Sequence, residues 1–313
     1  MTIAAALVLA TSIDAIFRGF ENGPGTASVA VIRGSEVIFR KSYGAGATPD
    51  SNYRLASVSK QFTAMAILTL AHEHKLSLDD RITKFFPEFP ELGITVRQML
   101  THTSGLVDYE DVIPAGTTIP LKDFDVLWIL QQQNRTLFAP GSKWQYSNSG
   151  YALLALIVEK LSGHTFARFL HDNLFAPAGM AHTLAYEKGI STVEKRMYGQ
   201  PEDQSLTSAV LGDGGIYTSV NDLARWYAWL DKQPLYTQAS TAHAKTPDAS
   251  YGYGWFVGTQ RGHRAVWHTG ETVGFRNAVL RLPEERLTVI VLTNRNEGHP
   301  IELANDVAAT IRH

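Results

Sequence analysis

Runs of β-branched and aromatic residues at both ends of the chain predict β-strands. Near the start, residues 27–32 and 37–42 form two such runs, and the Gly34-Ser35 pair between them suits the tight turn of a hairpin. The later runs are residues 254–258, 265–268, 275–281 and 287–292, with a turn at 283–286.

Apolar residues at helical spacing fill the stretch between the two groups of strands. Residues 57–74 are apolar on most faces, which predicts a buried helix. Further helices are predicted at residues 96–100, 124–132, 151–161, 166–174, 222–230 and 301–311. Residues 3–10 fit the start of an amphipathic helix better than the remnant of a secretory h-region. The sequence does not exclude export, although it slightly favours a cytoplasmic location over a periplasmic or secreted one.

Strands at both ends with helices between them predict an α/β fold of the α+β type. We expect an antiparallel sheet built from both chain ends, flanked by terminal helices, with a large, mostly helical inserted region. Residues 1–56 and 245–313 would form the sheet domain, and residues 57–244 the helical domain. Pockets favour domain interfaces, so the active site is expected in the cleft between them.

Composition narrows the classes of partner and chemistry. The chain has 313 residues, 44% hydrophobic and 19% charged, with a net charge of −2 and no basic run, which suits a globular protein and argues against a nucleic-acid partner. The absence of cysteine excludes disulfides, thiolate metal sites and thiol nucleophiles. No segment has the apolar length of a membrane span. His72 and His74 would point apart on a helix, so no metal site is expected there.

Ser57-Val58-Ser59-Lys60 is the first candidate for chemistry. A spacing of three on a helix puts Ser57 and Lys60 on one face, where the ammonium can reach the hydroxyl. A neighbouring base activates a serine, and free N–H groups at a helix start favour the oxyanion of an acyl transfer. The alternative is a serine N-cap beside a solvated lysine, since a Ser-x-x-Lys match is expected about once by chance in such a chain.

Tyr146-Ser147-Asn148 is the second candidate and lies in a loop before a predicted helix. A phenol near a lysine can act as a general base, and the Asn148 amide can orient the lysine and bind a substrate carbonyl. The alternative is a turn with a half-buried tyrosine.

His268-Thr269-Gly270 is the third candidate and ends a predicted strand. A glycine at a strand edge lets substrate backbone approach and pair as an added strand. The alternative is a strand-end histidine beside a glycine bulge.

These triplets, in this order, resemble the three motifs of the serine β-lactamase and penicillin-binding-protein superfamily. The Tyr-x-Asn motif resembles its class C-like branch of β-lactamase-related hydrolases: family VIII-type esterases, DD-carboxypeptidases and D-aminopeptidases. Residues 100–106, 140–163 and 212–219 resemble the same branch, and the resemblance covers nearly the whole chain from residue 27.

The resemblance implies covalent acyl transfer. Ser57 attacks a carbonyl, Lys60 and Tyr146 move its proton, and water hydrolyses the acyl intermediate. Asn148 would hold the acyl side of the substrate, and His268 would steady the proton network and help position the substrate.

The resemblance also assigns the remaining site residues. Thr269 and Gly270 support the substrate, and the backbone N–H groups of Ser57 and Glu271 form the oxyanion hole. No metal and no organic cofactor are implied.

Two residues depart from the class C β-lactamases. Their third motif begins with a lysine, a permanent cation, whereas His268 is only fractionally charged at neutral pH, which weakens the case for a β-lactamase. Glu271 stands where a small residue is usual. Its carboxylate would favour substrates with a free amino group or a neutral acyl side, unless it turns to solvent or pairs with Arg276.

The sequence therefore predicts a serine hydrolase acting on small carboxylic esters or on D-amino-acid amides and short peptides. Alternatives are a DD-carboxypeptidase, a β-lactamase proper, or a non-catalytic penicillin-recognising sensor, and the oligomeric state stays open. Trp144, Tyr109 and Trp255 are expected to line the cleft, with core packing as the alternative. His102, in the Thr-His-Thr-Ser-Gly segment, is expected to order a loop.

Overall fold

One large antiparallel sheet joins the two ends of the chain, as predicted. The structure, a computed structural model, describes residues 3–185 and 205–312, so residues 186–204 of the expected helical region lie outside the described ranges. Its strands are β1 Ala27–Arg33, β2 Glu36–Tyr43, β6 Ala244–Lys245, β7 Ser250–Tyr251, β8 Phe256–Gln260, β9 His263–Thr272, β10 Phe275–Leu282 and β11 Leu287–Thr293. Their order in the sheet is β2-β1-β11-β10-β9-β8-β7-β6, and every neighbouring pair is antiparallel.

The central strands are apolar on both faces because both faces are covered. In β1, Ala30 and Ile32 belong to the core beneath the inserted helices, whereas Val29 and Val31 belong to a second core beneath the terminal helices. β11 alternates in the same way. This double burial explains why these strands read as continuous apolar runs in the sequence.

Two terminal helices cover the outer face of the sheet. Helix α1 spans Ile3–Glu21 and helix α12 spans Pro300–Arg312. Ile13 and Phe17 of α1 are fully buried, so the prediction of an amphipathic helix at this end is confirmed. Within the described ranges, no helix combines the length and the apolar character that crossing a bilayer requires.

The inserted region packs its helices against the inner face of the sheet. Its helices are α2 Lys60–His72, α3 Ile82–Phe85, α4 Val96–Leu100, α5 Asp123–Gln131, α6 Asn148–Ser162, α7 Phe166–Leu170, α8 Ala176–Ala178, α9 Leu211–Gly214, α10 Val220–Leu230 and α11 Pro234–Ala239. A second, three-stranded sheet has the order β3-β5-β4, with β3 Tyr53–Arg54, β4 Leu184–Ala185 and β5 Ile216–Thr218.

Three local details differ from the sequence prediction. The buried helix predicted from residue 57 begins instead with a 3₁₀ helix over Ala56–Ser59, and α2 follows it. The helix predicted at 166–174 changes at His171–Phe175 into a π-helical turn. Strands of two or three residues, such as β6 and β7, were missed because they are too short to carry a period-two pattern.

Candidate active site

Ser57 lies in the 3₁₀ helix immediately before α2, and Lys60 is the first residue of α2. Ser57 is half-buried and Lys60 is fully buried. The Lys60 ammonium donates to Ser57 Oγ at 3.0 Å, the contact that their spacing predicts. Ala56, directly before the serine, has φ of 49°, a left-handed conformation that costs free energy in a non-glycine residue. The serine is therefore presented on a strained turn.

The Lys60 ammonium uses all three of its donors. Besides Ser57 Oγ, it donates to Asn148 Oδ1 at 2.8 Å and to the backbone carbonyl of Asp213 at 2.9 Å. A buried ammonium is costly unless its donors are satisfied, so this set of acceptors accounts for a lysine with no exposed surface. The Asp213 carbonyl was not predicted, because a backbone acceptor leaves no signature in the sequence.

The segment that carries the Asp213 carbonyl is held by buried side chains. The Asp123 carboxyl accepts from the backbone N–H groups of Leu211 and Gly212 at 2.9 and 3.0 Å. A Cβ on Gly212 would come within 2.2 Å of the carbonyl oxygen of Tyr151, so only glycine fits there. Burial raises the pKa of Asp123 to about 7, although both N–H groups act in the opposite direction.

Asp213 also carries a buried carboxyl behind the site. Its Oδ2 accepts from the hydroxyl of Tyr109 at 2.9 Å. Burial raises the pKa of Asp213 to about 7, and the nearby Lys60 ammonium only partly offsets that effect.

Tyr146 approaches Lys60 from the loop before α6. The Lys60 ammonium lies 5.0 Å from the centroid of the Tyr146 ring, within the range of a cation–π contact. The Tyr146 hydroxyl is buried and has no hydrogen-bond partner among residues 3–185 and 205–312. Its oxygen is therefore not engaged by any other group in the described ranges.

Asn148 begins α6 and is surrounded by carboxylates. Its backbone N–H donates to Asp108 Oδ2 at 2.7 Å, and its side-chain amide donates to Glu110 Oε1 at 3.2 Å. Burial of the carboxyl, and then the neighbouring charge of Asp108, raise the pKa of Glu110. The Asn148 amide thus adjoins two carboxylates, Asp108 and Glu110, that sequence reasoning did not identify.

His268 lies in β9 with only 1% of its surface exposed. Its Nδ1 is 2.6 Å from the carbonyl oxygen of Thr269, which can only accept, so Nδ1 carries the proton and Nε2 accepts from the hydroxyl of Tyr251 at 3.0 Å. Burial, and then the charge of Lys60, lower the pKa of His268 to about 3. The ring is neutral at pH 7 rather than fractionally charged, and its two nitrogens are engaged by Thr269 and Tyr251.

Strand β9 closes directly over the serine turn. A Cβ on Gly270 would come within 2.0 Å of the Leu55 carbonyl oxygen and 3.2 Å of the Ser57 backbone nitrogen, so glycine is required for this approach. Thr269, the preceding residue, is half-buried. The Glu271 side chain is 61% exposed and lies 3.6 Å from Arg276, the ion pair that the sequence analysis kept as an alternative.

Of the three expected wall aromatics, only Trp144 lies beside the site. Its ring centroid is 6.4 Å from that of Tyr146 and 6.3 Å from that of Tyr251. Tyr109 and Trp255 are fully buried, so their prediction as wall residues is wrong and the core-packing alternative is correct. Aromatic content alone does not distinguish a cleft wall from a core.

Known proteins resemble the chain in sequence over nearly its whole length. A profile of the family described as Beta-lactamase matches residues 13–311. Penicillin-binding protein 4* of Bacillus subtilis (strain 168) is 30% identical over 88% of this chain and 70% of its own length. The D-aminopeptidase of Brucella canis is 29% identical over 87% of this chain, which spans only 56% of that protein.

Solved structures share the fold. The penicillin binding protein from Bacillus halodurans is 27% identical, with a TM-score of 0.77 over 96% of this chain and 98% of its own. The D-amino acid amidase from Ochrobactrum anthropi SV3 is 21% identical, with a TM-score of 0.83 over 97% of this chain and 98% of its own. With the profile match over residues 13–311, the chain belongs to the beta-lactamase family, within the serine β-lactamase and penicillin-binding-protein superfamily.

Proposed function

We propose that the chain is a serine hydrolase that works through a covalent acyl-enzyme on Ser57. The observation that carries the proposal is the Lys60 ammonium, which bonds Ser57 Oγ, Asn148 Oδ1 and the Asp213 carbonyl at 2.8–3.0 Å. This geometry fixes the serine hydroxyl against a buried cation, with the Tyr146 phenol beside that cation as the candidate proton acceptor.

In the proposed reaction, Ser57 Oγ forms a bond to the substrate carbonyl carbon while its proton passes to the Tyr146 oxygen as general base. The Lys60 ammonium, bonded to Ser57 Oγ and beside the Tyr146 ring, stabilises the negative charge during this transfer. The backbone N–H groups of Ser57 and Glu271 stabilise the oxyanion. The carbonyl re-forms as the leaving group departs with that proton, which leaves an acyl ester on Ser57. Water then attacks the ester, loses a proton to the same base, and releases the acid and free serine.

The charges around the site favour substrates with an amino group over substrates with a carboxylate. His268 is neutral, so the position of the third-motif lysine offers no cation to anchor a carboxylate. Asp108 and Glu110 adjoin the acyl-side amide of Asn148, where they attract an ammonium. These features, together with the D-aminopeptidase relative, support D-amino-acid amides and short peptides with a free amino terminus as substrates.

Small carboxylic esters are the second proposed substrate class. The half-buried rings of Trp144 and Phe256 lie 6.3 Å apart and form an aromatic surface, and the Phe256 ring is 5.3 Å from that of His268. Such a surface suits an apolar acyl or alcohol group and needs no charge on the substrate. A DD-carboxypeptidase or a β-lactamase has less support, because their substrates carry a carboxylate.

A mixed substrate panel on wild type and Ser57→Ala tests the proposal. The panel contains D- and L-alanyl amides, N-acetyl-D-alanyl amide, p-nitrophenyl butyrate and nitrocefin, with intact-mass detection of the acyl-enzyme. We expect steady turnover of the D-alanyl amide and the ester, weak nitrocefin turnover, and loss of all three in Ser57→Ala. A single burst without further release would instead favour a penicillin-recognising sensor, and an acyl adduct on another residue would reject Ser57.

A further inference from the structure

His102 is a buried residue in an unusual backbone conformation next to the site. It follows α4, is 2% exposed and has φ of 58°, in the left-handed region. Among residues other than glycine, Asn, Asp and His adopt this region most readily. Its Nε2 is buried without a hydrogen-bond partner in the described ranges, which costs stability. A strained residue with an unpartnered buried nitrogen beside the site points to a role other than stabilising the fold.

His102 contacts the Tyr146 segment at three consecutive residues. Its carbonyl oxygen accepts from the backbone N–H of Gln145 at 2.9 Å, and its ring Nδ1 accepts from the backbone N–H of Ser147 at 3.2 Å. Between these bonds, its ring stacks on the ring of Tyr146, with centroids 4.2 Å apart and planes at 30°. One residue therefore fixes the backbone on both sides of Tyr146 and one face of its ring.

The ring contacts require a neutral imidazole. Nδ1 can accept from Ser147 only while it carries no proton, so the proton sits on Nε2. Burial, and then the positive charge of Lys60, hold the pKa of His102 well below its usual value and keep the ring neutral. A phenylalanine could stack on Tyr146 but could not accept from Ser147, and an asparagine could accept but could not stack.

We propose that His102 is a positioning residue that holds the Tyr146 phenol in place beside Lys60. The inference rests on the proposed function, in which Tyr146 shares the proton of Ser57. His102 has no hydrogen bond to Ser57 or Lys60 within the described ranges. Its ring also lies 4.6 Å from that of Tyr251, so the experiments must separate action through Tyr146 from action through that neighbour. Loss of His102 should slow formation of the acyl-enzyme and leave substrate binding almost unchanged.

The first measurement uses His102→Phe and His102→Asn, which each keep one of the two ring contacts. The asparagine also tolerates the left-handed backbone, so it serves if the phenylalanine variant does not fold. For p-nitrophenyl butyrate we expect kcat to fall by about 10²-fold in His102→Phe and about 10-fold in His102→Asn, with KM within about twofold of wild type. The rate of Ser57 labelling by a fluorophosphonate should fall in parallel. A rise in KM at unchanged kcat would overturn the proposal.

A double-mutant cycle with Tyr146→Phe decides whether His102 acts through the phenol. Tyr146→Phe keeps the stacked ring and removes only the hydroxyl. If His102 positions that hydroxyl, adding His102→Asn to Tyr146→Phe should change kcat by less than about threefold. A full tenfold loss in that background would show that His102 acts by another route and would overturn the proposal.

The matched control is His243→Phe. His243 stacks on Tyr253 at 4.0 Å, so the chain offers a second His–Tyr pair, on an exposed histidine in the β6 region. Replacing His243 should leave kcat and KM unchanged. If kcat fell as much in His243→Phe as in His102→Phe, the loss would not be specific to the histidine beside Tyr146. A different result would reject the proposed function itself: a wild-type protein that shows no Ser57-dependent hydrolysis and no labelling of Ser57.

Discussion

The helical side of the site and its β9 side differ in how their polar groups are satisfied. On the helical side, the buried ammonium of Lys60 donates hydrogen bonds to Ser57 and Asn148. On the β9 side, His268 is neutral and Glu271 is mostly exposed to solvent. Proton transfer tolerates little change in geometry, whereas substrate selection can be retuned through charge. The helical side thus fits the chemistry, and the β9 side, together with the carboxylates beside Asn148, fits the choice of substrate.

The largest effect is expected on the helical side, from Lys60→Met. This change removes the ammonium at nearly constant volume, so Ser57 Oγ loses its hydrogen-bond donor and the proton transfer to Tyr146 loses its stabilising cation. We therefore expect kcat/KM for p-nitrophenyl butyrate to fall about 10³-fold. His268→Gln, which keeps a polar side chain on β9, should cost less than about tenfold on the same ester. Equal losses in the two variants would remove the distinction between the sides. Thermal melts establish that both variants fold.

The second-largest effect is expected from the buried carboxyl of Asp213, on the helical side. This group should make the free energy of unfolding depend on pH. Its pKa rises from 3.8 to about 7 on folding, so its contribution to stability is full below pH 4 and is lost as pH rises through 7. Asn does not titrate, and its side-chain oxygen can still accept from Tyr109. The free energy of unfolding of Asp213→Asn relative to wild type should therefore increase by roughly 2–4 kcal/mol between pH 4 and pH 8.

Urea denaturation at each pH measures the Asp213 effect. Asp79→Asn is the control, because Asp79 is exposed and its hydrogen bond with Arg97 lowers its pKa. Its contribution has the opposite sign and is lost at acid pH, so relative stability should not increase between pH 4 and pH 8. A flat difference between Asp213→Asn and wild type would mean that the carboxyl does not titrate in this range.

The sequence predicted those parts of the fold and site that depend on neighbouring residues. The central strands β1, β10 and β11 were found because burial on both faces gives a continuous apolar run, and the contact between Ser57 and Lys60 was found because their spacing is local. The Asp213 carbonyl and the Tyr251 hydroxyl were missed because each reaches its partner across more than one element of the fold. Contacts of this kind occur at no fixed sequence spacing, so a single sequence does not reveal them.

A substitution of intermediate effect, His268→Lys, tests the β9 side directly. A lysine would restore a cation at the third motif, so nitrocefin turnover should rise relative to D-alanyl amide turnover by about tenfold. His268→Gln is the matched control without charge, and the ratio should stay within about twofold of wild type. Because a buried cation is costly, the melting temperature should fall in His268→Lys. An unchanged ratio in a folded His268→Lys variant would place substrate selection elsewhere.

The smallest effect is expected from Glu271, the other departure on the β9 side. Its carboxylate is mostly exposed and lies 3.6 Å from Arg276, so solvent and the ion pair both screen its charge. Glu271→Gln and Glu271→Gly should therefore lower the preference for D-alanyl amide over N-acetyl-D-alanyl amide by only about threefold, and less at 0.5 M salt. The glutamine keeps the side-chain volume, so agreement between the two variants would assign the effect to charge. A preference unchanged at low salt would remove Glu271 from substrate selection and leave the carboxylates beside Asn148 as the source of any preference for an amine.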